Sequence, residues 1–349
     1  MAKENIMMKA CQGHRTNPFP VWLMRQAGRY MKSYQKVREK YSFIEICKTP
    51  ELAAEVTMQP VDQLGVDAAI IFADILLVPE AMGMLLNFKM DGSSPLFPSP
   101  VTNEADINKL CIPDPSVTNK YLIDAIKLVR SRLSPEIPLI GFSGSPWTLA
   151  VYMVEGQPDK ELQRTKGLMY LEPDLFKTLL KKITESVKLY LNAQINAGVQ
   201  IIQIFDSLAI HLSTNEFLTF SLPFMQEIVH YIKSQWGNSV PIIIFPRGAS
   251  HSLTAIQQTG CDVISIDWTM SLEQAAALTH NSIVLQGNLD PMVMLSTTDI
   301  IAQQTHQILQ EASSLNGFIF NLGHGILPNT PEDNVKFLID FVHSKSTTE

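Results

Sequence analysis

The stretch Leu175-Phe-Lys-Thr-Leu-Leu-Lys-Lys-Ile-Thr-Glu-Ser-Val-Lys-Leu-Tyr-Leu-Asn-Ala-Gln-Ile-Asn-Ala197, then Gly198, then Val199-Gln-Ile-Ile-Gln-Ile-Phe205, holds one complete helix-to-strand unit. Its first part spaces apolar residues three and four apart and sets Lys177, Lys181, Lys182 and Lys188 on the other side. That spacing predicts an amphipathic helix over 175–197. After the glycine comes a short run rich in β-branched residues with little alternation, which predicts a strand buried on both faces. A buried strand preceded by a helix is the repeating unit of a parallel sheet.

The same pattern extends in both directions. Further strand-like runs lie at 21–24, 68–72, 138–142, 240–245, 263–266, 283–286 and 317–321. Helical spacing recurs at 51–63, 120–133, 215–236, 253–258 and 299–315. Eight strands alternating with helices match a closed (β/α)8 TIM barrel of the α/β class. An open doubly wound sheet is the alternative, and it lacks the G-x-G-x-x-G expected after its first strand. No break in composition marks a second domain, so 1–349 reads as one barrel domain. The Pro/Ser-rich segment 91–100 reads as a loop within it.

Composition narrows the function. The 349 residues are 46% hydrophobic and 17% charged, with a formal net charge of −7. No basic, aromatic-interleaved stripe appears, so no nucleic-acid partner is expected. An anionic ligand must instead be recruited by a local cluster of cations. Cys11, Cys47, Cys111 and Cys261 form no C-x-x-C and no metal-ligand spacing, which reads as reduced thiols in a cytoplasmic protein. Residues 1–9 carry no apolar stretch of the signal-peptide kind. The most apolar window, 66–86, contains Asp67, Asp74, Pro79 and Glu80, so no membrane span is expected.

Chemistry in such a barrel sits at the C-terminal ends of the strands. Those ends carry, in order, Arg25 with Arg29, Asp74, Ser143 with Ser145, Asp206 with Ser207, Arg247, Asp267, Asn288 with Asp290, and His324. The first end is the most telling: Pro20-Val-Trp-Leu-Met-Arg-Gln-Ala-Gly-Arg29-Tyr delivers two arginine forks four residues apart. Each fork matches a carboxylate in two-point contact, so a polyanionic ligand is expected. Gly28 between them permits close approach. Asp74 is framed by Ala-Ala-Ile-Ile-Phe-Ala and Ile-Leu-Leu-Val, a costly place for a carboxylate without partners. His324 has glycine on both sides, which reads as an accessible imidazole or, alternatively, a phosphate loop. No lysine ends a strand, so Schiff-base chemistry has no nucleophile.

Two segments resemble one family closely. The 20–30 segment resembles the N-terminal signature of the uroporphyrinogen decarboxylases. Gly141-Phe-Ser-Gly-Ser-Pro-Trp-Thr-Leu-Ala-Val-Tyr-Met-Val-Glu-Gly156 resembles their second signature. Further similarities at 68–76, 205–207, 266–269, 285–291 and 321–325 extend the resemblance from about residue 8 to 342. The resemblance implies a single (β/α)8 barrel, in agreement with the strand count. It implies a cofactor-free and metal-free carboxy-lyase that converts the four acetate arms of uroporphyrinogen III to methyls, giving coproporphyrinogen III in haem biosynthesis. Matching positions imply that Arg25, Gln26, Ala27, Gly28, Arg29, Asp74, Tyr152, Ser207 and His324 contact substrate, with Phe142 and Phe205 lining the cleft. Of these, Asp74, Arg25, Arg29, Tyr152 and His324 are the implied catalytic residues. Many family members carry Thr where this chain has Ser207, which keeps the hydroxyl. Arg247 has no matching family role. The family precedent is a homodimer with facing clefts. A corrinoid-dependent methyltransferase of the same barrel family is the alternative, and it needs a His-x-Cys type zinc pair that this sequence lacks. A non-enzymatic tetrapyrrole carrier is the other alternative, and it would not need Asp74 and both arginines.

Overall fold

The computed structural model describes residues 5–88, 95–157 and 159–346. Within them runs a seven-stranded sheet of β1 (Ala69–Ile70), β2 (Leu139–Gly144), β3 (Ile201–Asp206), β4 (Ile242–Pro246), β5 (Val263–Ser265), β6 (Val284–Leu289) and β7 (Phe318–Leu322). The strands lie side by side in chain order, all parallel. Residues 20–24 complete the ring. The Phe320 amide donates to the Pro20 carbonyl at 2.9 Å on one side, and the Asp67 amide donates to the Val21 carbonyl at 2.8 Å on the other. The first predicted strand is thus the stave that joins β7 to β1. Asp67 latches it, because its Oδ2 accepts the Val21 amide at 2.7 Å and lies 2.8 Å from His343 Nε2.

The continuous apolar runs are buried on both faces, as their lack of alternation predicts. In β4, Ile242, Ile243 and Ile244 are each 0% exposed. Trp22, Ile140, Ile201, Ile243, Val263, Val284 and Ile319 form the inner core with Met7, Ala10 and Cys11 of the helix Ile6–Cys11. A larger apolar cluster lies between the sheet and the surrounding helices. Each fully buried Ile or Leu contributes about 1.5–3 kcal/mol.

Element boundaries shift where tertiary structure intervenes. The helix expected at 215–236 is two helices, Thr214–Phe220 and Leu222–Trp236. Pro223 starts the second, and the Ser221 hydroxyl between them donates to Asp206 at 2.5 Å. The strand expected at 68–72 keeps only Ala69–Ile70 in the ladder, because the chain beyond turns outward to wall a cleft. Of the segment read as a loop at 91–100, residues 91–94 lie outside the described residues. Pro95–Leu96 pairs antiparallel with Asn87–Phe88. Among the described residues, no helix is long and apolar enough to cross a membrane.

Candidate active site

A cavity of about 380 Å³ opens at the C-terminal ends of the staves. The loop after the first stave forms one wall. Met24 is pinned there by its amide, which donates to Asn321 Oδ1 at 3.1 Å. Arg25 then adopts φ 63°, a left-handed backbone unusual for a side chain with a Cβ. The turn carries its exposed side chain over Gly325, where an added Cβ would come 2.6 Å from Arg25 Cδ. Gln26 is 1% exposed: its Oε1 accepts the Leu23 amide at 3.1 Å and its Nε2 donates to the Ala68 carbonyl at 3.0 Å. Tyr30 closes the loop by donating its hydroxyl to the Gln26 carbonyl at 2.6 Å. Gln26 therefore spends its side chain holding the loop in place.

What the loop offers the cavity is charge. Arg25 and Arg29 are both exposed and line it, and among the described residues no carboxylate pairs with either. The backbone N–H groups of Arg25, Ala27, Gly28 and Arg29 likewise have no acceptor among the described residues. Facing them is Asp74, half-buried, whose Oδ1 accepts the Leu76 amide at 2.8 Å. Burial raises the Asp74 carboxyl above its ordinary value, against the Leu76 amide and the charge of Arg25. The lining thus sets one carboxylate against unpaired cations.

The floor is aromatic. Phe142 and Phe205 meet edge to face with centroids 5.6 Å apart, Phe205 and Phe245 lie 6.4 Å apart, and Phe245 and the His324 ring 6.1 Å apart. Burial, with the charges of Arg247 and Arg25, lowers the His324 pKa to about 3. The imidazole is therefore neutral near pH 7. Ser207 lines the same cavity. An apolar, cationic pocket with one half-buried carboxylate suits a bulky ring that carries acidic arms.

The sequence signature of the family "Uroporphyrinogen decarboxylase (URO-D)" matches residues 2–345. The chain belongs to the uroporphyrinogen decarboxylase family. The uroporphyrinogen decarboxylase of Trichlorobacter lovleyi is 45% identical over 342 residues, covering 98% of this chain and 99% of that protein. That of Histophilus somni (strain 129Pt) is 43% identical over 348 residues, covering 99% and 98%. Among solved structures, a methyltransferase from Methanosarcina mazei superposes with a TM-score of 0.81 at 20% identity over 97% of both chains. A B12-independent methionine synthase from Shewanella sp. W3-18-1 gives 0.54 at 12% identity, over 85% of this chain and 86% of that one. At such identities the likeness shows the barrel fold alone.

Several strand-end residues of this uroporphyrinogen decarboxylase family member are structural. Buried Asp206 accepts from the hydroxyls of Ser145 at 2.6 Å, Thr148 at 2.8 Å and Ser221 at 2.5 Å. Asp267 accepts the amides of Gly248 at 2.7 Å and Thr269 at 2.9 Å. Asn288 donates to the Met270 carbonyl at 2.6 Å, Asp290 caps the turn Pro291–Leu295, and Ser143 donates to the Gly144 carbonyl. The glycines beside His324 do not make a phosphate loop: Gly325 admits the Arg25 side chain, and a Cβ on Gly323 would lie 2.7 Å from the Trp268 nitrogen. Tyr152 is half-buried on the helix Pro146–Glu155 and is not on the cavity wall. Burial, then the charge of Asp74, raises its pKa and keeps its hydroxyl protonated.

The cavity also holds residues that strand-end reading missed. Phe245 is one, and its signal was available: it ends the apolar run 240–245 as Phe205 ends 199–205, and the two stand in register on neighbouring strands. Tyr34, Arg38, Phe43, Phe72 and Phe88 are others. Arg38 ends the helix Lys32–Arg38 and donates to the Tyr41 carbonyl at 2.7 Å. Among the described residues, no three His, Cys, Asp or Glu side chains converge to hold a metal ion. Cys11, Cys47 and Cys261 are buried free thiols, and Cys111 is exposed.

Proposed function

We infer that this chain is a uroporphyrinogen decarboxylase, a carboxy-lyase of haem biosynthesis. Its substrate is uroporphyrinogen III, and its product is coproporphyrinogen III with CO₂ from each of four acetate arms. The observation that carries the chemistry is Asp74, half-buried in an apolar cavity opposite two unpaired arginines. Loss of CO₂ leaves an electron pair on the arm's methylene carbon. Protonation of a pyrrole at its α-carbon makes a ring cation that accepts this pair as the C–C bond breaks. The methylene then takes a proton to become methyl, and the α-proton leaves to restore the pyrrole. Asp74 accepts the pyrrole N–H groups and stabilises the ring cation where charge develops.

Arg25 and Arg29 hold carboxylate arms, and the free amides of Ala27 and Gly28 add donors beside them. Ser207 binds an arm by its hydroxyl, and Phe142 and Phe205 pack on the macrocycle. Gln26 acts through the loop. Neutral His324 contributes a hydrogen bond to an arm, since an imidazole with a pKa of about 3 holds no spare proton near pH 7. Tyr152, protonated and in the field of Asp74 though outside the cavity lining, is the proton-handling candidate that supports Asp74 from behind the wall. An arginine is a poor acid in water, so proton delivery by Arg25 or Arg29 is the weaker route.

The substrate ring is the electron sink, so the reaction needs no cofactor or metal. The molecule is one barrel domain with a core of about 8–342, working in the cytoplasm as a homodimer. Exposed Ile210, Trp268 and Met292, on loops after β3, β5 and β6, give the mouth end apolar surface suited to a second copy. The test is anaerobic incubation of chelator-dialysed protein with uroporphyrinogen III, followed by separation of the products. Coproporphyrinogen III should accumulate. Activity that vanishes on chelation and returns with one metal would contradict the cofactor-free reading and favour the methyltransferase alternative.

A further inference from the structure

Ser207 lines the cavity, yet it stands where the chain has left the sheet. β3 ends at Asp206, and Ser207 opens the turn that follows. A turn residue has no ladder to fix it, so its aim depends on the bonds of its neighbours. Among the described residues, the Ser207 hydroxyl has no hydrogen-bond partner and is left for a ligand. The residues on either side of it are fully engaged.

Asp206 is 0% exposed and is not on the cavity wall. Its Oδ1 accepts the hydroxyls of Ser145 at 2.6 Å and Thr148 at 2.8 Å, and its Oδ2 accepts that of Ser221 at 2.5 Å. Ser145 caps the helix Pro146–Glu155, and Ser221 precedes the helix Leu222–Trp236. The carboxylate is thus bonded at two helix N-termini, where backbone dipoles favour negative charge. Its carbonyl accepts the Arg247 amide at 3.2 Å, and the Phe205 carbonyl accepts the Ser145 amide at 2.9 Å. On the far side of Ser207, the Thr148 hydroxyl that donates to Asp206 also accepts the Leu208 amide at 3.2 Å. The Leu208 carbonyl accepts the Trp147 Nε1–H at 3.0 Å. Ser207 is therefore suspended between two residues tied to the first turn of one helix. Apolar side chains could join a strand to a helix without the cost of burying a carboxylate. Apolar packing permits sliding, whereas charge-assisted hydrogen bonds fix direction.

We propose that Asp206 and Thr148 are positioning residues: together they strap the backbone on both sides of Ser207 to the helix Pro146–Glu155 and aim its hydroxyl at a carboxylate arm of the substrate. This rests on the decarboxylase reading for the identity of the ligand.

The test uses the full chain with Ser207→Ala, Thr148→Val, Thr148→Ser and the double variant Thr148→Val/Ser207→Ala. Each is titrated with oxidised uroporphyrin III, which keeps all the arms and does not react. Porphyrin fluorescence reports binding, and thermal unfolding reports folding. Ser207→Ala should weaken binding on the order of tenfold, the size of one lost hydrogen bond to a charged group. Thr148→Val keeps the shape and cuts the strap on both sides of Ser207, so affinity should fall by about threefold or more, part of that same bond. Thr148→Ser keeps the hydroxyl and should bind as wild type does. The double variant should bind no worse than Ser207→Ala alone, because a hydroxyl that is gone cannot be misaimed; a purely structural role makes the two losses multiply. Multiplied losses, or wild-type affinity in either Thr148→Val or Ser207→Ala, would overturn the proposal. If Thr148→Val does not fold, Asp206→Asn takes its place in the same cycle. Weaker binding that disappears in the Ser207→Ala background then supports the strap, and multiplied losses or wild-type binding remove it. A wild-type chain that binds uroporphyrin yet releases no CO₂ would remove the decarboxylase reading and leave the positioning role standing.

Discussion

His324 shows how one residue's surroundings decide its role. Its pKa is lowered from 6.5 to about 3, chiefly by burial and then by Arg247 and Arg25. Between those values the unfolded chain takes up a proton at this residue that the folded chain refuses, so folding stability falls as pH drops through that window. Replacing His324 with Asn removes this term. The melting temperature of His324→Asn should fall less between pH 7 and pH 5 than that of the wild type. An identical drop in both proteins would mean that the histidine is not held neutral. Asp74 runs the other way. Its pKa is raised by burial, so its ionised form costs stability as pH rises above the ordinary carboxylate range, and Asp74→Asn should fold at least as stably as wild type near pH 7. These two environments were only partly legible. The apolar frame of Asp74 announces burial in the sequence. The glycines around His324 suggested exposure, because nothing local reveals that Arg25 and Trp268 fill the space beside them.

At the scale of elements, the 20–30 loop is the working part, and it is built by distant residues. Asn321 holds Met24, the Ala68 carbonyl holds Gln26, and Gly325 makes room for Arg25. A Cβ at Gly325 would meet the flexible middle of the Arg25 side chain at 2.6 Å, so the arginine must move while the backbone stays. Gly325→Ala should therefore unfold within a few degrees of wild type yet raise KM for uroporphyrinogen III by roughly tenfold, as expected for misplacing one charged contact. A wild-type KM would show that Arg25 does not bind from its present position. The motif marks Gln26 as a contact, and the fold also makes its side chain a brace at the cavity lining. Arg38 shows the reverse: it follows no strand, so a search of strand ends passes over it, although its helix turns it to the cavity. The break at Ser221 was hidden for a similar reason, since its hydroxyl serves Asp206 on a strand 15 residues earlier.

For the whole molecule, the barrel itself was plain in the sequence. Continuous apolar runs such as 240–245 have little choice but burial on both faces, and helices between them force parallel order. The closing stave was predicted as a strand at 21–24, but its two edges are made by a pair of hydrogen bonds each, to Phe320 on one side and Asp67 on the other, a pairing no local pattern encodes. The net charge of −7 also conceals the cationic mouth, where Arg25, Arg29 and Arg38 gather against Asp74. That arrangement makes the central claim: a half-buried carboxylate stabilises a substrate cation in a cavity whose arginines hold the acidic arms. Turnover of uroporphyrinogen III by Asp74→Asn beside the wild type, both shown to be folded, tests it most directly. The change keeps shape and removes the charge. The account predicts that the wild type forms coproporphyrinogen III and that Asp74→Asn loses on the order of 10²–10³ in kcat, the scale for removing one group aimed at developing charge. A folded Asp74→Asn protein that turns over at the wild-type rate would contradict it.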